Sequence, residues 1–204
     1  MVAPTFIAEP RFPSIRPCVT GRWHAATAGT SFGKHRGRYY AVRYRDQPTI
    51  EVSQRVRCDV GTAWQFVTDI GLPARSSSEL QAVQWLGDAD RVTVGARFRG
   101  RNAHEALGAW ETVCEVVEVE DKRRWVYDVV GPEGVSATWA FETEPASDGV
   151  LIRQWARMGP APSGLSIAIS ASPEKEARII ARRLSEWRQN MQANLDWIRS
   201  QVED

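Results

Sequence analysis

The chain has 204 residues, 43% of them hydrophobic and 9% aromatic, which suits one domain with a sizeable core. Its 26 Lys/Arg against 25 Asp/Glu leave a net charge of +1, so no global basic field points to nucleic acid. No stretch approaches the ~20 apolar residues of a membrane span and no apolar secretory core opens the chain; a cytoplasmic protein without stable membrane insertion is expected.

Residues 1–41 read as a basic, disordered N-terminal extension. Residues 1–47 hold eight Lys/Arg and two acids, while the remainder has eighteen against twenty-three. Pro4, Pro10, Pro13 and Pro17, with the small-residue run from Ala25 to Gly33, break any periodicity. Arg-rich, acid-poor composition also fits a transit peptide, but the prolines oppose its amphipathic helix. An upstream extension, with the domain proper over 42–204, is the simpler expectation. Cys18, Cys58 and Cys114 are odd in number and include no C-x-x-C pair, which favours a reducing compartment over a disulfide framework or zinc site.

From Thr49 to Arg57 apolar residues alternate as in a strand. Asp59 then stands as an N-cap, after which Val60, Ala63, Trp64, Val67 and Ile70 share one helical face. Gly71-Leu72-Pro73 stops that helix, and a short second one is placed over Pro73 to Leu80. A short strand near Ala82–Leu86 is followed by five more, over Val92–Asn102, Trp110–Glu120, Arg124–Val130, Ser136–Glu144 and Val150–Met158. Short connections make them an antiparallel meander. A Pro/Gly-bearing loop from Gly159 to Ala171 is read either as a lid, with Leu165, Ile167 and Ile169 as apolar contacts, or as an ordinary covered connection. From Ser172-Pro173, Ile180, Leu184, Trp187, Met191, Leu195 and Ile198 recur at helical spacing, giving a helix of ~30 residues, about 45 Å long.

Strand alternation sorts side chains between two faces. Arg97, Arg99 and Arg101 cannot line an apolar core, so Phe98 and Asn102 face inward with Trp110, Thr112 and Cys114 of the next strand. The outward arginines then meet Glu111 and Glu115. Trp125 and Tyr127, Trp139 and Phe141, and Gln154 and Met158 follow inward on the later strands. The expected pocket comprises these residues with Trp64, Leu165, Leu184, Trp187 and Met191, mostly apolar and carrying a few polar groups. Each aromatic taken alone is better explained as core packing. Asn102, Thr112, Tyr127 and Gln154 either bond one another or the backbone, or meet a ligand. Trp155 falls outward, which marks either a self-association patch, and so a homodimer, or an error of register.

Strand, two helices, six strands and a long helix form the order of the Bet v 1-like, START-related superfamily (SRPBCC). The chain resembles its bacterial polyketide cyclase/dehydrase and lipid-transport-like members over residues 42–200. That resemblance rests on Val67-Thr68-Asp69-Ile70 with Leu72-Pro73, the run Gly95 to Asn102, Trp110-Glu111-Thr112, Ala137 to Phe141, Arg153-Gln154 and Ala156 to Gly159. It implies an α+β helix-grip fold, a curved seven-stranded antiparallel sheet around the C-terminal helix, with a deep apolar cavity between them.

Signals for chemistry are thin. His24, His35 and His104 cannot cluster, and neither metal-ligand spacing nor a phosphate cradle occurs, so no metal or cofactor is expected. His104 and Glu105 in a turn, or Tyr127 within the pocket, are the candidate acid/base groups. Three readings stay open: a binder of a hydrophobic small molecule (lipid, polyketide or isoprenoid-like), a polyketide-type cyclase/dehydratase, and an accessory or regulatory protein acting through its surface.

Overall fold

The computed structural model describes residues 42–203; the expected extension over 1–41, with Cys18, His24 and His35, lies outside the described residues. A 3-10 turn, Tyr44–Asp46, leads into β1 (Thr49–Val56), α1 (Val60–Val67) and α2 (Leu72–Ser76). Then come β2 (Leu80–Leu86), β3 (Arg97–His104), β4 (Gly108–Glu120), β5 (Arg124–Gly131), β6 (Gly134–Ala146) and β7 (Gly149–Met158). The chain closes with α3 (Gly164–Ala171), a 3-10 turn at Pro173–Lys175, and α4 (Glu176–Glu203).

The seven strands form one antiparallel sheet in the order β1-β7-β6-β5-β4-β3-β2. Register shifts at Leu80/Ala82, Val116/Glu118 and Val129/Val130 insert extra residues that bend the sheet into a cup. Among the described residues no helix is long and apolar enough to cross a membrane.

The expected face assignment agrees with the observed pairing. Arg97 lies opposite Glu115 and Arg101 opposite Glu111 on the convex side, with Arg97–Glu115 and Arg99–Glu111 contacts of 3.8 and 3.7 Å. These exposed pairs contribute little stability each, but they fix which face is wet. On β7 the residues Val150, Ile152, Gln154, Ala156 and Met158 are all buried and alternate with more exposed neighbours. Trp155 is therefore on the convex side, where its indole N–H donates to Glu142 Oε1 at 3.0 Å; the register was correct.

Several boundaries differ from expectation. β3 starts at Arg97 rather than Val92, because residues 93–96 turn, with Gly95 at φ +84° and the Ala96 N–H bonding the Thr93 carbonyl. The anticipated lid loop contains a helix, α3, started by Ser163, whose side chain accepts from the Leu165 N–H at 3.3 Å. The second short helix ends at Ser76, not near Leu80. Asp59 caps α1 as expected, accepting from the Thr62 N–H at 3.0 Å.

Beyond Asn194, α4 belongs to a closed core: Leu195 and Ile198 are fully buried in one cluster with Val56, Ala63, Val67, Leu72, Val150 and Ile152. Trp125 and Phe141 stack in the same cluster at 6.0 Å, and the Trp125 indole donates to the Val67 carbonyl at the end of α1, at 2.9 Å. The β6–β7 turn is equally tight. Gly149 sits at φ +142°, and a Cβ there would stand 2.1 Å from the Val56 carbonyl oxygen.

Gly149→Ala should therefore lower unfolding stability by about 2–4 kcal/mol. Gly87→Ala, also at positive φ but in open space, should cost about 1 kcal/mol. Urea denaturation of both variants checks this; equal, small losses would contradict the close approach of the β6–β7 turn to β1.

Candidate functional site

Between the concave sheet and the stretch of α4 from Arg183 to Asn194 lies a cavity of about 660 Å³. That volume is in the range of small-molecule sites. Its walls follow from the alternation: Phe98, Trp110, Cys114, Tyr127, Trp139 and Met158 project inward from β3 to β7, and Trp187 and Met191 descend from α4. Leu165 of α3 also lines it. Leu107, in the β3–β4 turn, and Ile167 of α3 line the cavity while remaining 44% and 75% exposed, so they mark its rim.

Several polar side chains interrupt this lining, the Tyr127 hydroxyl among them. Near the rim, Asn102 Nδ2 donates to Thr112 Oγ1 at 3.3 Å, so these two side chains partner one another. Arg183 forms a two-pronged ion pair with Glu79, the residue before β2, at 2.7 and 2.5 Å. Its guanidinium also reaches Glu186 at 3.3 Å and stands 5.5 Å from the Trp187 ring, which packs 4.8 Å from that of Trp139. With side-chain exposures of only 11% and 15%, Arg183 and Glu79 satisfy each other. Arg183 therefore reaches the cavity mouth but meets protein carboxylates there. Deeper, Gln154 and Asn194 share a hydrogen bond of 3.0 Å.

The titratable groups of the cavity are held neutral or paired. Burial pushes the Cys114 thiol up to about 12. Burial, with a smaller contribution from Cys114, drives the Tyr127 hydroxyl well above the ordinary phenol value. Both remain protonated at physiological pH, so neither serves as a resting base or nucleophile. Burial also pushes the Glu186 carboxyl up, but hydrogen bonds from Arg182 and Arg183 and the Arg183 charge outweigh it and leave it below the usual range.

Six expected site residues are not in the cavity wall. Trp125 and Phe141 face inward but lie in the closed core beneath α1, stacked on each other. Trp64 and Leu184 are partly buried against the core without lining the cavity, Leu184 being one position off the stripe Arg183, Trp187, Asn190, Met191 and Asn194. His104 has both ring nitrogens engaged: Nδ1 accepts from the Ala106 N–H at 3.1 Å and Nε2 is 3.5 Å from Glu186. That clamps the β3–β4 turn to α4 and leaves no free base. Glu105, in the same turn, is exposed and does not line the cavity. Asn194, Glu79 and Tyr44 were not anticipated in the lining. Asn194 carried a signal, as an amide three residues after Met191 and next to Leu195 in the apolar pattern of α4; Glu79 and Tyr44, set by long-range contacts, carried none.

Residues 47–183 match the model of the family described as Polyketide cyclase / dehydrase and lipid transport. Among solved structures, the chain is similar to a Polyketide_cyc-like protein from Corynebacterium glutamicum, with TM-score 0.55, 23% identity and coverage of 76% of this chain and 91% of that one. It is also similar to the di-domain ARO/CYC BexL from the BE-7585A biosynthetic pathway, with TM-score 0.59, 15% identity and coverage of 78% and 50%. Ara h 8.0201 matches with TM-score 0.50 and 11% identity over 75% and 98% of the two chains. At these identities the solved structures establish the fold, a Bet v 1-like helix grip. This chain spans half the length of the di-domain protein. No curated protein matches the sequence.

With Cys18 and Cys58 replaced by Ser, Cys114 should react with a polar thiol reagent at pH 8 about a thousandfold more slowly when folded than in urea. Past about pH 9, where the unfolded rate levels off, the native rate should go on rising about tenfold per pH unit. Native and unfolded rates within tenfold of each other would show that the thiol is not sealed in this wall.

Proposed function

The chain belongs to the polyketide cyclase/dehydrase and lipid transport family of helix-grip proteins, and from that premise we propose that it binds a hydrophobic small molecule, of lipid, polyketide or isoprenoid type, in the cavity beneath α4. The observation that carries this reading is the pairing of an aromatic-lined space of about 660 Å³ with ionisable groups that are self-paired or neutral. Such a wall binds apolar surface by its removal from water and asks no charge of the ligand. The proposed contacts are Phe98, Trp110, Trp139, Met158, Leu165, Trp187 and Met191, with Asn102, Thr112 and Gln154 as the polar points.

A polyketide cyclase or dehydratase is the second reading, favoured by the family and by the ARO/CYC description of the di-domain neighbours. Here Tyr127 is the available group. Held protonated, it would donate a proton or hydrogen bond to a ligand oxygen rather than remove one. Under either reading the partner is a small molecule and not nucleic acid, and the compartment is the cytoplasm. Self-association through the Trp155 face, and with it a regulatory role, would be a separate property of the convex side.

Native mass spectrometry of the full chain purified under mild conditions should show bound hydrophobic small molecules that denaturation releases. Ala137→Phe, which places a ring inside the cavity, should reduce occupancy more than tenfold in a folded protein. An unchanged occupancy would remove the cavity as the binding site. A cyclase would in addition convert the released ligand, and Tyr127→Phe would abolish turnover while keeping binding.

A further inference from the structure

We propose that Gln154 selects the ligand: the cavity takes an uncharged apolar molecule that enters with one oxygen, a ketone or hydroxyl, leading, and the Gln154 amide meets that oxygen at the deep end. This deepens the binding reading above and rests on it.

Gln154 is 2% exposed, points inward from β7 and lines the cavity. Its Oε1 accepts from Asn194 Nδ2 at 3.0 Å, and Asn194 Oδ1 accepts from the Ser76 hydroxyl at 2.6 Å. Gln154 Nε2 has no partner among the described residues. The only unpaired side-chain nitrogens and oxygens sealed away there are Arg124 Nε and Trp187 Nε1. The Gln154 nitrogen is not one of them, so it opens on the cavity. A buried amide left with an unused donor is costly unless something occupies that direction.

The relay behind this amide can run either way. The Ser76 hydroxyl lies 2.8 Å from the Leu72 carbonyl and 2.6 Å from Asn194 Oδ1, yet it has a single proton to give. When it bonds Asn194, the order of donors places the Gln154 NH₂ toward the ligand. When it bonds Leu72 instead, its oxygen accepts from Asn194, both amides turn over in place, and the Gln154 carbonyl faces the ligand. The first state greets a ketone and the second a hydroxyl, with the same heavy-atom positions. A carboxylate is excluded. The cation in the lining, Arg183, is held by Glu79 and Glu186, and stands eleven residues before Asn194, about 16 Å along α4. An anion at the deep end would be buried without a partner.

Four probes of one shape separate these cases: 2-acetylnaphthalene, 1-(2-naphthyl)ethanol, 2-ethylnaphthalene and 2-naphthoate. In equilibrium dialysis with the full chain, the ketone and the alcohol should bind roughly fivefold to tenfold more tightly than the hydrocarbon, and the carboxylate most weakly. Gln154→Met should erase the advantage of ketone and alcohol while the hydrocarbon still binds. If that variant fails to fold, Ser76→Ala decides, because loss of the hydroxyl should shift the ketone-to-alcohol ratio at least threefold. Equal binding of ketone, alcohol and hydrocarbon by the natural chain would overturn the role of Gln154 and leave the cavity reading standing. So would a preference that survives Gln154→Met, or a ratio unmoved by Ser76→Ala. Binding of none of the probes would overturn both.

Discussion

The structure depends on how α4 closes over the sheet. Past Asn194 its apolar side chains mesh with α1, β1 and β7 and leave no space. From Arg183 to Asn194 the same helix is held off the concave face, and the gap is the cavity. Two features keep it open. The Trp187 and Trp139 rings pack against each other as rigid spacers, and the Arg183–Glu79 pair ties α4 to the segment entering β2. That ion pair is nearly enclosed, so removing either partner would leave an uncompensated charge and cost more than the pair itself contributes. A helix end packed solid supplies the stability that an open stretch forgoes.

This division governs the chemistry. An enclosed apolar wall penalises charge, which is why Cys114 and Tyr127 stay protonated and why Glu79 is found only in the grip of an arginine. His104, the one imidazole among the described residues, is spent on fastening the β3–β4 turn to Glu186 and the Ala106 backbone. What is left for recognition is shape, aromatic surface and a few neutral hydrogen-bonding groups. Such a site discriminates by fit and by the placement of an oxygen, consistent with holding a ligand and also with guiding the folding of a reactive chain.

Much of this was legible in the sequence because it rests on local rules. Three arginines at alternate positions cannot face a core, and that fixed the register of β3 and, through Glu111 and Glu115, of β4. The apolar stripe of the last thirty residues identified α4 as the closing element. Alternation says which face a side chain takes but not how far along the cup it lies. Trp125 and Phe141 share a face with Tyr127 and Trp139, yet α1 covers the first pair and cavity space the second. α3 was hidden by the proline and glycine residues flanking it, although Ser163 had the character of a cap. Glu79 and Tyr44 join the wall through partners about a hundred residues away, Arg183 and Ala161, which no local pattern encodes.

The most direct measurement is a crystal structure of the full chain determined under xenon pressure. Xenon enters apolar space that protein atoms do not fill. The account requires xenon density, or density of a retained ligand, between Phe98, Trp139 and Met191, with none among Trp125, Phe141 and Leu195. Met191 and Trp187 seated directly on the sheet, with no xenon or ligand between, would mean that α4 closes along its whole length and that this protein contains no binding chamber.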